Sequence, residues 1–295
     1  MNQVILRVAE NTPLTENVFR MRLSGDVSAV TAPGQFINIR IRDNYLRRPI
    51  SVCDVEYEDS SASADVSVDD SRAYAGAGAV SAVESCTASG SSKEHRAVSG
   101  YAAKAGTLTI IYKVVGKGTA ELSAYAAGEE LDVLTGLGNG YDLSLTGDHP
   151  LLVGGGVGVP PMYLLAKRLI AEGKKVSVIL GFNTASEIFY EQEFKDLGAE
   201  VLTATADGSY GIKGFVTDAI PKLSEKPAYI CACGPEPMLK ALYRASEAGG
   251  QYSFEERMGC GFGACMGCTC KTITGYKRIC KDGPVMKKEE ILWAD

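Results

Sequence analysis

Five cysteines lie close together near the end of the chain, in a spacing that suits metal chemistry. Cys260, Cys265 and Cys268 follow the pattern Cys-x4-Cys-x2-Cys, and Cys280 comes after a further short loop. This is the plant-type spacing for a [2Fe–2S] cluster, in which four thiolates hold two irons. Cys270 is the fifth thiol, and the spacing leaves it as the spare one.

Two other interpretations of these cysteines stay open at this point, besides plain buried thiols. A structural zinc site more usually shows two separated Cys-x2-Cys pairs or added histidines. A disulfide framework suits a small secreted chain, and this chain has 295 residues. The glycines between the cysteines favour the cluster, because they let the backbone wrap closely around an inorganic core and donate N–H groups to the sulfurs.

A glycine-rich turn in the middle of the chain is the second feature with chemical meaning. The apolar run 151–153 predicts a buried strand, and the residues from 162 onwards have a helical period. Between them stand Gly154, Gly155, Gly156 and Gly158. A strand, a glycine turn and a helix N-terminus together predict a pyrophosphate site, although glycines alone are a weak indication.

Alternating strand and helix patterns continue from there to about residue 250, which predicts a parallel sheet. One of its strands ends in Cys233, followed by Gly234 and Pro235. Ligands in such sheets bind at the carboxyl ends of the strands. Residues 181–194 contain no Lys or Arg, and Asp207 would repel a 2′-phosphate, so we predict NAD rather than NADP, with Lys213 as the one opposing feature.

The first part of the chain consists of short β-patterns separated by Gly/Pro turns, which predicts an antiparallel barrel. Arg48, Pro49, Ile50 and Ser51 start one of these strands. A later strand, 108–115, runs into Gly-Lys-Gly-Thr at 116–119. Between them, residues 60–106 are dominated by Ala, Ser and Gly, and we expect a flexible insertion in a hairpin.

The Arg-Pro-x-Ser strand and the Gly-x-Gly-Thr turn together resemble the FAD-binding barrel of the ferredoxin reductase superfamily. The resemblance implies Ser51 near the flavin ring, Arg48 on the diphosphate, and Cys233 at the nicotinamide ring. It also implies further flavin and pyrophosphate contacts from Pro49, Ile50, Ile111, Tyr112, Lys113, Gly118 and Thr119. The expected architecture is multidomain, β plus α/β: a FAD-binding barrel at 1–145, an NAD-binding parallel-sheet domain at 146–250 and a small [2Fe–2S] domain at 251–295.

Composition excludes several classes of function. The net charge of −6 argues against a nucleic-acid surface, and no apolar run is long enough to span a membrane. With two histidines in the chain, we expect cofactors rather than a histidine base to carry the chemistry. The first residues resemble a strand rather than a signal peptide, and free thiols suit a reducing compartment, so we expect a cytoplasmic protein.

The order of the three domains is similar to that of the electron-transfer subunits of type B dihydroorotate dehydrogenase, with Glu255–Gly261 entering the cysteine region and Cys280–Val285 leaving it. The resemblance implies a heterotetramer of two such subunits with two FMN-containing catalytic subunits, serving pyrimidine biosynthesis. Electrons would pass from the partner through the cluster and FAD to NAD⁺. An FMN barrel needs about 250 residues, so we expect dihydroorotate oxidation to require the partner.

Two rival hypotheses remain open at this point. Related subunits serve other redox complexes, such as ferredoxin:NAD(P) reductases. Alternatively, the cysteine region is a zinc-stabilised interaction module on a scaffold without activity.

Overall fold

The computed structural model describes residues 1–42, 44–58 and 104–293. Most of the Ala/Ser-rich insertion predicted at about 60–106 lies outside the described residues, as do Cys86 and His95. The antiparallel barrel, the parallel-sheet domain and the C-terminal cysteine segment are all present, which confirms the predicted fold class.

The amino-terminal part of the chain forms a closed antiparallel barrel. Its strands are β1 (Asn2–Pro13), β2 (Val18–Asp26), β3 (Phe36–Ile39), β4 (Arg48–Tyr57), β5 (Ala105–Lys113) and β6 (Glu130–Leu137), and a helix α1 (Lys117–Ser123) follows β5. The strands close in the order β1-β2-β5-β4-β3-β6. Alternation explains the core: Leu6 and Val8 point inward while Ile5 and Arg7 face out.

Strands β4 and β5 pair across the insertion. Tyr57 is the register partner of Gly106, and Val55 is that of Leu108. The two strands therefore form the hairpin that the sequence predicts, with the insertion joining their ends.

The second half of the chain forms a mostly parallel sheet. Its strands are β7 (Pro150–Gly155), β8 (Ser177–Phe182), β9 (Glu200–Thr205), β10 (Ile212–Lys213), β11 (Tyr229–Cys233) and β12 (Gly249–Ser253), with helices α2 (Val159–Ala171), α3 (Glu191–Asp196), α4 (Val216–Ala219) and α5 (Glu236–Ala245). Strand β7 lies at the centre and every one of its residues is buried, as expected for a parallel strand covered on both faces. Pro160 and Pro161 occupy the first turn of α2, where a missing N–H costs nothing.

The C-terminal segment leaves the sheet and returns to it. It contains the hairpin β13 (Thr269–Thr272) and β14 (Gly275–Arg278), the helix α6 (Ile279–Asp282) and the strand β15 (Val285–Lys287). Strand β15 pairs antiparallel with β12, so the sheet runs β10-β9-β8-β7-β11-β12-β15. No pattern in the sequence predicts this return.

Short 3-10 helices complete the described part of the chain. They span Leu143–Leu145, Gly156–Gly158, Ala185–Glu187, Ile220–Lys222 and Lys288–Glu290. Among the described residues, no helix is both long and apolar enough to cross a membrane.

Candidate functional site

The Arg-Pro-x-Ser residues form the first half of β4 and are half-buried on the barrel. The guanidinium of Arg48 lies directly against Gly118: a Cβ on that glycine would come within 2.3 Å of Arg48 Nε. Arg48 also donates to the carbonyl of Leu46 over 2.6 Å. The fold therefore brings the predicted diphosphate arginine to the start of α1. A positive side chain and a close-packed glycine turn at one place fit a pyrophosphate group.

Thr119 shapes the turn before α1 through its side chain. Its hydroxyl oxygen accepts from the N–H groups of Val115 (2.9 Å) and Gly116 (3.3 Å), and its hydroxyl donates to the carbonyl of Gly116 over 3.1 Å. These bonds hold the turn in the form that receives Arg48.

The three predicted flavin-lining residues of β5 lie on two faces of the strand. Tyr112 lies in the barrel core, and its hydroxyl donates to Asn11 over 2.9 Å. Burial raises the pKa of this phenol. Ile111 is buried on the opposite face, while Lys113 reaches the main cavity and faces Glu187 at 3.9 Å. Of the three, only Lys113 lines the main cavity.

That main cavity, of about 660 Å³, lies at the carboxyl ends of the sheet strands. Its lining includes the glycine turn after β7, the turn after β11, and residues of β2 and β5 from the barrel: Gly155, Gly156, Gly158, Gly234, Pro235, Phe182, Asn183, Val18 and Lys113. A cleft of this size at the strand ends of an α/β sheet is where a dinucleotide is expected to bind.

The predicted glycines make this turn possible in different ways. Gly156 has φ +53° with open space around it. A Cβ on Gly158 would lie 2.2 Å from the carbonyl oxygen of Cys233. On Gly154 it would lie 2.7 Å from the Cα of Val159, so this glycine serves the packing of β7 on α2. The turn can therefore approach the end of β11 only with these glycines in place.

Asp207 follows β9 and is fully exposed. Its carboxylate accepts from the backbone N–H (2.9 Å) and the hydroxyl (2.6 Å) of Ser209. These hydrogen bonds lower the pKa of Asp207, and the bond from the Ser209 hydroxyl contributes most. The main cavity is lined by its neighbour Ala206 rather than by Asp207 itself.

Cys233 is 2% exposed and lies behind the cavity wall that Gly234 and Pro235 form. Burial raises the pKa of its thiol to about 12, although a hydrogen bond with Ser253 acts in the opposite direction. A protonated thiol of this kind is a neutral packing group rather than a nucleophile.

Glu255 is a cavity residue that the sequence analysis did not single out as part of the site. It follows β12 closely and lines both the main cavity and a smaller one of about 300 Å³. Burial raises the pKa of its carboxyl group. The position after a parallel strand would have identified it, but the run Gly249–Ser253 contains too few β-formers to predict a strand.

The four predicted cluster cysteines form two contacting pairs. The backbone N–H of Cys265 reaches Cys260 Sγ at 3.4 Å, and that of Cys280 reaches Cys268 Sγ at 3.4 Å. No three metal-binding side chains in the described ranges converge on a single ion. Two pairs are what a two-iron cluster requires, since its four thiolates divide between two metals.

Backbone N–H groups surround these sulfurs. The N–H of Ala264 reaches Cys260 Sγ at 3.2 Å, that of Gly267 reaches Cys265 Sγ at 3.5 Å, and that of Cys280 reaches Cys268 Sγ at 3.4 Å. Burial opposes ionisation of Cys260, yet N–H groups led by that of Cys265 lower its pKa to about 6. N–H groups that stabilise the Cys260 thiolate fit an iron–sulfur cluster better than they fit a neutral core thiol, although burial raises the pKa of the Cys280 thiol.

Cys270 stands apart on β13, where it lines the smaller cavity with Glu256 and Trp293. Burial, with the nearby charge of Glu256, raises the pKa of its thiol. Its surroundings therefore favour a neutral thiol, unlike those of Cys260.

Comparison with known proteins decides the family. Residues 255–292 match the iron-sulfur cluster binding domain of dihydroorotate dehydrogenase B, and residues 152–244 match the oxidoreductase NAD-binding domain. The chain is 39% identical over 302 residues to the dihydroorotate dehydrogenase B (NAD(+)) electron transfer subunit of Geobacillus sp. (strain WCH70), covering 99% of both chains. It belongs to this family of electron transfer subunits.

Two further similarities agree. The subunit of the same name from Fusobacterium nucleatum is 39% identical, with 96% of both chains covered. A solved chain of an NADH-dependent reduced ferredoxin-NADP oxidoreductase, an enzyme of flavin-based electron bifurcation, superposes with a TM-score of 0.76 at 29% identity, covering 98% of this chain and 90% of that one. The chain is thus an NAD-linked oxidoreductase subunit whose cofactors are FAD, a [2Fe–2S] cluster and NAD.

Proposed function

We propose that this chain carries electrons from an FMN-containing subunit that oxidises dihydroorotate, through its [2Fe–2S] cluster and FAD, to NAD⁺. The main support is the paired arrangement of the four cluster cysteines. Two of them, Cys268 and Cys280, pack with Phe36, Leu134 and Leu137 on the outside of the same barrel that carries the Arg-Pro-x-Ser strand. Cluster and flavin sites thus share one scaffold.

The proposal assigns a role to each candidate residue. We assign Cys260 and Cys265 to one iron, and Cys268 and Cys280 to the other. For FAD we assign Arg48, Pro49, Ile50, Ser51, Ile111, Tyr112, Lys113, Gly118 and Thr119, with Tyr112 acting from within the barrel core. For NAD we assign Gly154, Gly155, Gly156, Gly158, Asp207, Cys233, Gly234 and Pro235. When bound, FAD supplies the exchange between two-electron hydride chemistry and one-electron transfer.

The same proposal sets the organisation of the chain. We assign residues 1–145 to FAD, 146–250 to NAD and 251–295 to the cluster. Eight cysteines among the described residues form no disulfide, four of them being the assigned cluster ligands, which suits a reducing compartment, and we place the protein in the cytoplasm.

The surface around the cluster suits a protein partner. Phe262, Met266, Ile273 and Tyr276 are exposed by 43%, 55%, 61% and 75% of their surface. Exposed apolar side chains concentrated on one segment are typical of an interaction site. We propose that the catalytic subunit docks here, in a heterotetramer of two subunits of each kind.

Several of the basic residues near the cluster bond within their own chain. Lys277 pairs with Glu290 at 2.7 Å, Arg278 pairs with Asp282 at 3.2 Å, and Lys288 binds the carbonyls of Ser246 and Ala248. Lys271 and Lys281 are therefore among the basic residues that remain to attract an acidic surface of the partner. We expect Tyr276→Asp to weaken the complex more than Lys271→Ala does, measured by analytical ultracentrifugation.

The full chain, purified without oxygen, tests the cofactor assignment. We expect about one FAD and two irons per chain, with flavin and iron–sulfur bands in the visible spectrum. A colourless protein would contradict both assignments, and zinc in place of iron would point to the interaction module instead. NAD⁺ reduction by dihydroorotate should require the FMN-containing subunit.

Cys233 offers a test of the nicotinamide side. We expect Cys233→Ser to slow NADH-dependent reduction of an artificial acceptor about tenfold, or 1.4 kcal/mol of activation free energy, with FAD content unchanged. Cys231→Ser is the matched control, because Cys231 lies on the same face of β11 but farther from its carboxyl end. Equal rates in both variants would remove Cys233 from the site.

A second candidate is supported by the similarity to the NADH-dependent ferredoxin-NADP oxidoreductase. In that case the electron donor is a different redox protein bound at the same surface. Co-purification from the native cell separates the two: a partner without FMN or dihydroorotate oxidation would favour this second candidate.

A further inference from the structure

Asn38 is a buried polar residue that connects the barrel to the cluster segment. It is 1% exposed and lies on the outer face of β3, between Ile37 and Ile39, which point into the barrel core. Across the strand pair its register partner is Pro49 of the flavin strand. Asn38 therefore stands beside the proposed flavin site.

The side chain of Asn38 reaches the first cluster ligand. Its Nδ2 donates to the carbonyl oxygen of Cys260 over 3.1 Å, although the two residues are 222 positions apart. A carbonyl oxygen can only accept, which identifies the nitrogen of the amide. One hydrogen bond thus joins the flavin strand pair to a cluster cysteine.

Gly261 is adapted to this contact. A Cβ at Gly261 would lie 2.3 Å from Asn38 Nδ2, and its φ is +77°. In a planar trans peptide the C=O and N–H groups point in opposite directions. With the Cys260 carbonyl held on the barrel, the N–H of Gly261 faces away from it, and the loop curls so that Ala264 and Cys265 donate to Cys260 Sγ.

The other half of the Asn38 amide argues against a purely stabilising role. Its Oδ1 is buried with no hydrogen-bond partner among the described residues. A buried, half-satisfied amide is less favourable than an apolar side chain of the same shape. A leucine would fill this position without leaving an unpaired oxygen, so what Asn38 adds is the placement of the Cys260–Gly261 peptide.

We propose that Asn38 is a positioning residue of the electron-transfer path: it holds the Cys260–Gly261 peptide on the flavin strand pair, which sets the cluster's N–H···S environment and its place relative to the flavin site. This rests on the proposed function. Groups that orient metal ligands in this way typically change metal retention about 10–100-fold when removed.

The test uses Asn38→Leu, which keeps the shape and removes the donor, and Asn38→Asp, which puts an oxygen against the Cys260 carbonyl. The matched control is Asn139→Leu. Asn139 also joins the barrel to this segment, but it is exposed and bonds the carbonyls of Lys281 and Asp282 rather than that of Cys260. Each full-length variant is examined for FAD content, melting temperature, the electron paramagnetic resonance (EPR) spectrum of the reduced cluster, and iron loss to a chelator.

We expect Asn38→Leu to retain FAD, to lose iron about tenfold faster than the wild type and to show a shifted EPR spectrum. Asn38→Asp should change both more strongly, while Asn139→Leu matches the wild type. Wild-type iron loss and an unchanged spectrum in Asn38→Leu, or equal changes in Asn139→Leu, would overturn the proposal.

Two outcomes need separation. If Asn38→Leu also lacks FAD, Asn38→Ala decides, because it removes the donor without adding apolar volume: loss of iron with FAD retained supports the proposal, and wild-type behaviour refutes it. A wild-type chain that holds no cluster refutes the proposed function, whereas a stable cluster in every variant refutes only the role of Asn38.

Discussion

The barrel meets the rest of the chain on two faces of different character. On one face, α2 packs on β4 through apolar side chains that include Cys53, and also through long polar side chains: Lys167 binds Asp54 at 2.9 Å, and Arg168 donates to the carbonyl of Thr31. On the other, β3 and β6 meet the cluster segment through apolar side chains, and the N–H of Asn139 donates to the carbonyl of Gly283 over 2.7 Å.

The two faces differ in what accompanies their apolar packing. On the α2 face it is a charged pair that includes a flexible lysine stem. On the face of β3 and β6 it is a backbone hydrogen bond, next to close packing that resists displacement.

Of the variants considered, removal of a cluster ligand should have the largest effect, because it changes both iron content and stability. We expect Cys280→Ser to lose most of its iron and visible absorbance, because the serine hydroxyl is a poor replacement for a thiolate. Since Cys280 is also part of the apolar contact, the melting temperature should fall as well. Cys270→Ser is the control and should keep its iron; equal losses would mean that the ligand assignment is wrong.

Phe36→Ala tests the apolar face directly. Phe36 is 3% exposed and belongs to the same group of buried apolar side chains as Cys268 and Cys280. Truncation should cost about 3–4 kcal/mol in the free energy of unfolding. Denaturant unfolding measures this, with Phe215→Ala as control because Phe215 is 69% exposed. A loss below about 1 kcal/mol would show that the cluster segment is not held by this packing.

Lys167→Met tests the charged pair between α2 and β4, and it should reduce stability less than Phe36→Ala does. Asp54 is 8% exposed, so removing its cation leaves a largely buried carboxylate without its main partner. We expect a loss of about 1–3 kcal/mol. Lys117→Met, at an exposed pair with Glu121, should leave stability within about 0.5 kcal/mol of the wild type. Equal values for the two variants would contradict a structural role for the Asp54 pair.

The smallest effect is a pH dependence at Asp54. Burial raises the pKa of this carboxyl group, and the hydrogen bond from Lys167 only partly offsets it. The stability that Asp54 contributes is therefore full below its unfolded pKa and is lost as the pH rises through its folded pKa. Asp54→Asn lacks this loss, so its melting temperature relative to the wild type should increase as the pH rises above the unfolded Asp pKa of about 3.9. A difference that stays flat or falls over this range would contradict the prediction.

Local pattern was enough to predict the barrel, the parallel sheet and the iron–sulfur segment. Alternation, glycine turns and cysteine spacing are all properties of residues that are close together in the sequence. The direction of Tyr112 could not be predicted, since it depends on strand register. Glu255 and Asn38 were missed for a related reason: their chemistry comes from partners far away in the chain. Strand β15 is three residues long and is stabilised by β12, which no local pattern reveals.

The return of the chain through β15 has a consequence for how such a protein can be built. Ser253 and Val285 are register partners on adjacent strands, so the cluster segment leaves and re-enters the sheet about 5 Å apart. The cluster segment is therefore an insertion between two adjacent antiparallel strands, β12 and β15. A tight turn could connect the same two strands in its place. A reductase with this sheet can thus gain or lose an iron–sulfur segment without any rearrangement of its nucleotide-binding strands.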